Sequence, residues 1–285
     1  MSDNTFTFDG ADGAKIFTYR WLPDAPVRGV LQIAHGMGEH ALRYRKPLQP
    51  LLDAGIAIYA NDHRGHGRTA PNKDALGVFP GGFEALVDDM AVLSRRIRQE
   101  QPGKKLVLMG HSMGSFAAQA YVVDHSGLID GFVLSGSAAL DHFPPPKPGG
   151  LSSIGDDIPD RRTPFDWLSR DPAEVDAYIA DPLCGFTVNP EGLGSMFGTV
   201  AKAYDPAALA RIEKDVPFYV FAGDKDPVNG DLARLTPLVE RYRAAGVRDI
   251  TTDYYPGGRH EMLNETNRGE VAANLLRFVE RVIAK

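Results

Sequence analysis

Six short apolar runs, at residues 30–34, 56–60, 106–109, 132–134, 218–222 and 251–255, recur along the chain with longer segments between them. Runs of this length without polar alternation are what a strand buried on both faces leaves in a sequence. The intervening segments 83–99, 113–124, 232–245 and 265–283 have helical spacing, and in the last of them Val271, Leu275, Phe278 and Val282 share one face. Strand then helix, repeated, predicts an α/β fold: a mostly parallel sheet with helices on both faces. The first twenty residues depart from this rhythm. Phe6-Thr7-Phe8 and Ile16-Phe17-Thr18-Tyr19 flank Asp9-Gly10 and Asp12-Gly13, the layout of an antiparallel hairpin at the sheet edge.

With 285 residues, 43% of them hydrophobic, the chain can bury a large core, and intrinsic disorder is excluded. Its net charge of −6 argues against a nucleic-acid partner, which would need a broad basic face. Solenoid periods, low-complexity tracts and charge blocks are lacking. The single cysteine, Cys184, cannot form an intramolecular disulfide or, by itself, a thiolate zinc site, and is expected to be a small buried apolar side chain. The start, Met1-Ser2-Asp3-Asn4-Thr5-Phe6, has neither a basic cluster nor an apolar stretch, and no later run approaches the roughly 18 apolar residues of a membrane span. A cytoplasmic protein without a transmembrane segment is expected, in which transient contact with a membrane surface is still compatible with the sequence.

The rhythm breaks between residues 140 and 204. This stretch opens with Pro144-Pro145-Pro146 and Pro148-Gly149-Gly150, then carries weakly helical pieces at 164–168, 172–180 and 192–203 with no convincing strand. A solvated linker would not hold Trp167, Tyr178, Ile179, Phe186, Met196 and Phe197. The expected organisation is a core of residues 1–139 and 205–285 interrupted by a helical cap, 140–204, between two strands of one sheet.

The chemistry centres on Gly110-His111-Ser112-Met113-Gly114. A Gly-x-Ser-x-Gly pattern alone is a modest signal, but here an apolar run leads into it and an Ala-rich helical segment leaves it. That strand–turn–helix setting puts the serine on a strained turn where side chains at Gly110 and Gly114 would collide. The helix starting at Met113 aims its amino end at an oxyanion formed above Ser112. A serine hydroxyl needs a base, and the base needs a carboxylate to hold its tautomer. Of the histidines beyond Ser112, His125 falls at the end of the helix leaving the turn and His142 opens the insertion. Only His260, in Tyr255-Pro256-Gly257-Gly258-Arg259-His260-Glu261, follows a late strand. The carboxylate belongs at the end of the strand before it, where Ala222-Gly223-Asp224-Lys225-Asp226 offers two aspartates. Local reasoning leaves Asp224 and Asp226 both open, one as the acid and the other as a turn former.

From Leu31 to Asn264 the chain resembles the serine-hydrolase branch of the α/β-hydrolase family, and within it monoacylglycerol lipases and lysophospholipase-like hydrolases. The resemblance rests on His35-Gly36-Met37-Gly38-Glu39-His40, Asp62-His63-Arg64-Gly65-His66-Gly67, the serine turn, Ala222-Gly223-Asp224-Lys225-Asp226 and His260. It implies an α/β-hydrolase fold, Asp226 as the acid, and backbone N–H groups of Met37 and Met113 as oxyanion donors. It also implies a mechanism without metal or cofactor. His35 with His40, and Asp62-His63 with His66, are therefore expected to be structural hydrogen-bonding groups, with Arg64 and Asp62 tying their turn together.

These readings converge on a serine carboxylic-ester hydrolase with Ser112, Asp226 and His260 as its triad. The apolar insertion, with Phe186, Leu193, Met196 and Phe197 expected to line the substrate site, suits a small-molecule lipophilic ester such as monoacylglycerol or lysophospholipid. A small-ester carboxylesterase, an acyltransferase or a peptidase would use the same triad. Proline-releasing peptidases of this fold carry a His-Gly-Gly-Pro-Gly loop that residues 35–39 lack, and dehalogenases and epoxide hydrolases place Asp where Ser112 stands. A silent binding module would typically have lost one triad member.

Overall fold

The computed structural model describes residues 4–144 and 150–285. Its strands are β1 (Asn4–Asp9), β2 (Lys15–Trp21), β3 (Gly29–Ala34), β4 (Ile56–Asn61), β5 (Leu106–His111), β6 (Gly131–Ser135), β7 (Phe218–Gly223) and β8 (Ile250–Tyr255). They form one sheet in the order β1-β2-β4-β3-β5-β6-β7-β8. β1 and β2 pair antiparallel and β2 joins β4 antiparallel, while the pairings from β4 through β8 are parallel, so the edge hairpin and the parallel sheet both match the sequence reading.

The helices are α1 (Gln49–Asp53), α2 (Gly82–Glu100), α3 (Met113–His125), α4 (Pro172–Ala180), α5 (Pro190–Ala203), α6 (Pro206–Ala210), α7 (Leu235–Ala244) and α8 (Arg268–Ile283). Alternation along each strand decides which layer a side chain enters. In β5, Leu106 and Leu108 join a core shared with α2, α3 and α7, whereas Val107 and Met109 face the opposite layer with α1 and α8. The predicted stripe Val271, Leu275, Phe278 and Val282 lies in that second layer. Among the described residues, no helix is long and apolar enough to cross a membrane.

β3 is flanked by β4 on one side and β5 on the other, all parallel, so the connections leaving β3 and β5 diverge at their carboxyl ends. Such a switch point opens a crevice in a doubly wound sheet. The loop beginning at His35 and the turn at Ser112 border it.

Residues between β6 and β7 carry α4, α5 and α6 and no strand among those described. The expected helical pieces at 172–180 and 192–203 appear as α4 and α5, but 164–168 forms turns. Much of the proline- and glycine-rich opening, residues 145–149, lies outside the described residues, as do Met1–Asp3.

Candidate active site

Ser112 adopts φ 51° and ψ −122°, a backbone conformation in which a non-glycine residue is strained. The neighbouring glycines make it attainable. A Cβ on Gly110 would lie 2.4 Å from the Gly114 carbonyl oxygen, and one on Gly114 would lie 2.1 Å from that of Ala34. The turn is anchored by the Ser112 N–H donating to the Ser135 carbonyl at 3.0 Å, across to β6. Ser112 is half-buried.

His260 sits in the loop after β8 and is almost wholly buried. Its Nδ1 lies 3.0 Å from Asp226 Oδ2, and since a carboxylate can only accept, Nδ1 carries the proton. The other oxygen of Asp226 accepts the Val228 N–H at 2.8 Å. Asp224, half-buried, instead accepts the Gly257 N–H at 2.7 Å and closes a turn. The two aspartates that local sequence left open thus have different partners. His260 Nε2 is buried without a hydrogen-bond partner. The His260 ring packs 4.8 Å from the ring of His111, the residue before Ser112, and 4.9 Å from Trp167. Gly136, at φ 55°, leaves the space for this packing, because a Cβ there would come within 2.9 Å of both His111 and His260.

Burial by itself would lower the His260 pKa, but the charge and hydrogen bond of Asp226, reinforced by Glu261 and Glu39, outweigh it and hold the imidazole above its ordinary range. The other histidines at this edge behave oppositely. Burial drives His35 and His63 well below the usual value and takes His66 and His111 to about 4. His35 Nδ1 donates to the Gly36 carbonyl and its Nε2 accepts the His63 N–H, while His66 bonds the Arg64 carbonyl and the Gly38 N–H. Asp62 accepts the N–H groups of Ala41 and Arg68, and Arg64 binds Asp89, Asp12 and the Pro80 carbonyl. His35, His66, Asp62 and Arg64 are thus each hydrogen-bonded within this loop cluster, whereas His63 Nε2 is buried without a partner.

Met113 is the first residue of α3, so its N–H has no acceptor within the helix. Met37 lies between two engaged amides: Gly36 N–H donates to Glu39 Oε1 at 2.6 Å and Gly38 N–H to His66 Nε2 at 3.4 Å. Side chains therefore hold the loop on both sides of the Met37 amide.

Sequence reasoning missed the groups that join these loops. Glu39, buried, also accepts from Tyr44 Oη at 2.7 Å and Arg43 Nη1 at 2.6 Å. Arg43 in turn makes a bidentate pair with Glu261, at 2.6 and 2.8 Å, beside His260. The Glu39/Arg43 spacing was a readable signal, but the partner Glu261 is brought in only by the fold. Trp167 was noted for its bulk, with nothing to show that it would pack on His260.

Of the expected substrate-lining residues, Phe186 is half-buried with its ring 4.9 Å from His66. Phe197 faces Phe143 at 6.5 Å, and Phe143 faces Phe116 of the first turn of α3 at 6.0 Å. Leu193 packs half-buried against the larger core, while Met196 is buried within it. Tyr178 Oη and the Gly185 N–H both donate to the Gly38 carbonyl, at 2.8 and 2.9 Å.

Residues 25–267 match the family described as serine aminopeptidase, S33 (Hydrolase_4). A monoacylglycerol lipase of Mycolicibacterium smegmatis is 34% identical over 267 residues, 91% of this chain and 90% of that protein. Human monoglyceride lipase is 27% identical over 262 residues, 90% of this chain and 82% of its own. A highly thermostable carboxyl esterase from Bacillus coagulans, solved in complex with glycerol, shares the fold with a TM-score of 0.86 at 25% identity, each chain covered to 99%. The chain is a serine hydrolase of the α/β-hydrolase fold, of lipase or esterase type. It belongs to the Hydrolase_4 family, among relatives of the monoacylglycerol lipases.

Proposed function

We propose that the protein hydrolyses lipophilic monoesters, monoacylglycerol or lysophospholipid, through an acyl-enzyme on Ser112. The observation that carries this reading is the buried His260, tied through Nδ1 to Asp226 with Nε2 left unpartnered beside the Ser112 turn. His260 Nε2 takes the Ser112 proton as Oγ adds to the ester carbonyl. The Met37 and Met113 amides donate to the resulting oxyanion. His260 then returns the proton to the leaving alcohol, and a water molecule repeats the sequence on the acyl-enzyme to release the fatty acid. Asp226 keeps the imidazole in the tautomer that makes both transfers work.

In this reading residues 1–139 and 205–285 are the catalytic core and 140–204 the cap. Phe186, Leu193, Met196 and Phe197 contribute to the acyl-binding side. Such substrates partition into lipid, so the enzyme works in the cytoplasm with transient contact at a membrane surface and needs no cofactor. A small-ester carboxylesterase is the second reading, supported by the likeness to the bacterial carboxyl esterase.

The test is a series of glycerol monoesters of graded acyl length, run beside a serine-reactive phosphonate label. Wild-type protein is expected to prefer medium or long chains and to be labelled once, and Ser112→Ala should lose label and turnover by several orders of magnitude with unchanged thermal stability. Retained turnover in that variant would overturn the assignment. A preference for acetate would favour the second reading.

A further inference from the structure

Beside the candidate active site, three metal-ligating side chains converge from two parts of the chain. His40 follows the loop that holds Met37, whereas Asp181 and Cys184 lie just after α4, and one donor atom of each falls within 4.8 Å of the other two. His40 is buried, and its Nε2 donates to Asp181 Oδ2 at 2.9 Å. Asp181 is about one-third exposed, so the cluster is open to solvent on that side. We propose that His40, Asp181 and Cys184 form a site for Zn²⁺ or a similarly thiophilic divalent cation, which restrains the oxyanion loop and inhibits the enzyme.

The donor set suits this ion. Imidazole nitrogen, thiolate sulfur and carboxylate oxygen are all zinc ligands, and three protein donors leave a fourth tetrahedral position for water. Zinc–ligand bonds of about 2.0–2.3 Å put tetrahedral donors roughly 3.3–3.6 Å apart, so Cys184 has to approach by up to about 1 Å while the His40–Asp181 pair, at 2.9 Å, opens slightly. Burial pushes the Cys184 thiol well above its ordinary range, so the ion itself has to displace the proton, but the local charge balance favours a cation. Arg43, whose charge acts on Cys184, is already paired with both Glu39 and Glu261, and with Asp181 the carboxylates outnumber the guanidinium. On binding, the His40 Nε2 proton moves to Nδ1, so the ring stays neutral, and the Cys184 thiol releases its proton to solvent.

The site is placed to affect catalysis. Gly185, next to Cys184, donates its N–H to the Gly38 carbonyl, and Gly38 stands between Met37 and His40 in the chain. Drawing Cys184 and His40 onto one ion pulls on the Gly38 junction from both sides, and with it on the neighbouring Met37 amide. The inhibitory half of the proposal rests on the ester-hydrolase reading, whereas binding itself does not.

The experiment uses the full chain without an affinity tag, titrated with zinc against a chromophoric indicator and with cobalt followed by absorption. Wild-type protein should bind one ion per chain, and the cobalt form should show thiolate-to-metal charge transfer. Cys184→Ser should abolish that band and weaken zinc binding by at least the roughly 10–100-fold that loss of an outer-shell partner costs. Asp181→Asn, at the more exposed ligand, should also weaken it and serves if the cysteine variant folds poorly. In the kinetic arm, zinc should inhibit the wild type, with recovery on adding chelator, and should leave Cys184→Ser active. No binding by the wild type, or binding unchanged in both variants, overturns the site. Zinc held through Cys184 without loss of turnover overturns the restraint on the loop.

Discussion

His260 differs from the other histidines around Ser112 in the direction its environment pushes it, and the pH dependence follows from that difference. In the proposed mechanism protonated His260 cannot accept the Ser112 proton, so turnover should fall as the pH drops through its pKa. Asp226, Glu261 and Glu39 raise that pKa, while His111 across the ring is itself held to about 4 and stays neutral. The kcat/KM profile should therefore show one acidic limb with its midpoint above the ordinary histidine value of about 6.5. A midpoint near 5, or two overlapping ionisations, would contradict this. The neighbouring aspartates give a second expectation. Asp226→Asn should cost on the order of ten-thousandfold in kcat by releasing the tautomer, whereas Asp224→Asn disturbs a turn and should be mild; the reverse ranking would place the acid elsewhere. Ser112, His260 and the pair of aspartates could be singled out from the chain, and the fold brings His260 against one of that pair. The choice between the aspartates was not readable locally, because the two differ only in whether they meet a histidine from another loop.

At the scale of elements, strands were read closely and helix starts less well, for identifiable reasons. α8 begins at Arg268, three residues later than its spacing suggests, because buried Glu265 accepts N–H groups of Arg170, Arg259 and Thr266 instead of entering a first turn. α7 begins at Leu235, not 232, since Asp231 and Leu232 take positive φ to turn the chain after Gly230. Both are tertiary demands that override local periodicity. The same kind of demand makes Arg43 a positioning residue, joining the 3₁₀ turn Ala41–Tyr44 to the His260 loop. Arg43→Leu strands two carboxylates in a buried site, and breaking such a pair costs about 3–5 kcal/mol. A lower melting temperature, a reduced kcat and an acidic limb moved to higher pH are expected, the last because Glu39 and Glu261 then act on His260 uncompensated. Arg43→Lys keeps the charge without the bidentate fork and should restore the limb more fully than kcat. An unmoved pH profile in Arg43→Leu would make Arg43 a merely structural strut.

Over the whole molecule, the segment between β6 and β7 is braced at three places. Arg259 donates to the carbonyls of Asp166 and Ser169, and Glu261 N–H to that of Leu168, so residues 166–170 hold the His260 loop. Tyr178 and Gly185 hold Gly38, and Ser195 Oγ accepts the Phe83 N–H where α5 rests on α2. The proline-rich onset and the loss of strand rhythm set this segment apart in the sequence. Its contacts could not be read there, since each joins residues far apart in the chain. Bracing of this kind leaves the half-buried Phe197 as the informative place to perturb substrate choice, because its ring leads through Phe143 to Phe116 at the start of α3 while Met196 on the same helix is fixed in the core. If an acyl chain lies along these rings, each buried methylene adds about 0.8 kcal/mol, roughly fourfold in affinity. Several carbons then amount to orders of magnitude. Phe197→Asp should depress kcat/KM for medium and long monoesters far more than for an acetate ester, with little change in melting temperature, because the side chain is not part of the closed core. Equal losses on both substrates would mean that the aromatic line does not hold the acyl chain, and the small-ester reading would then displace the lipase-like one.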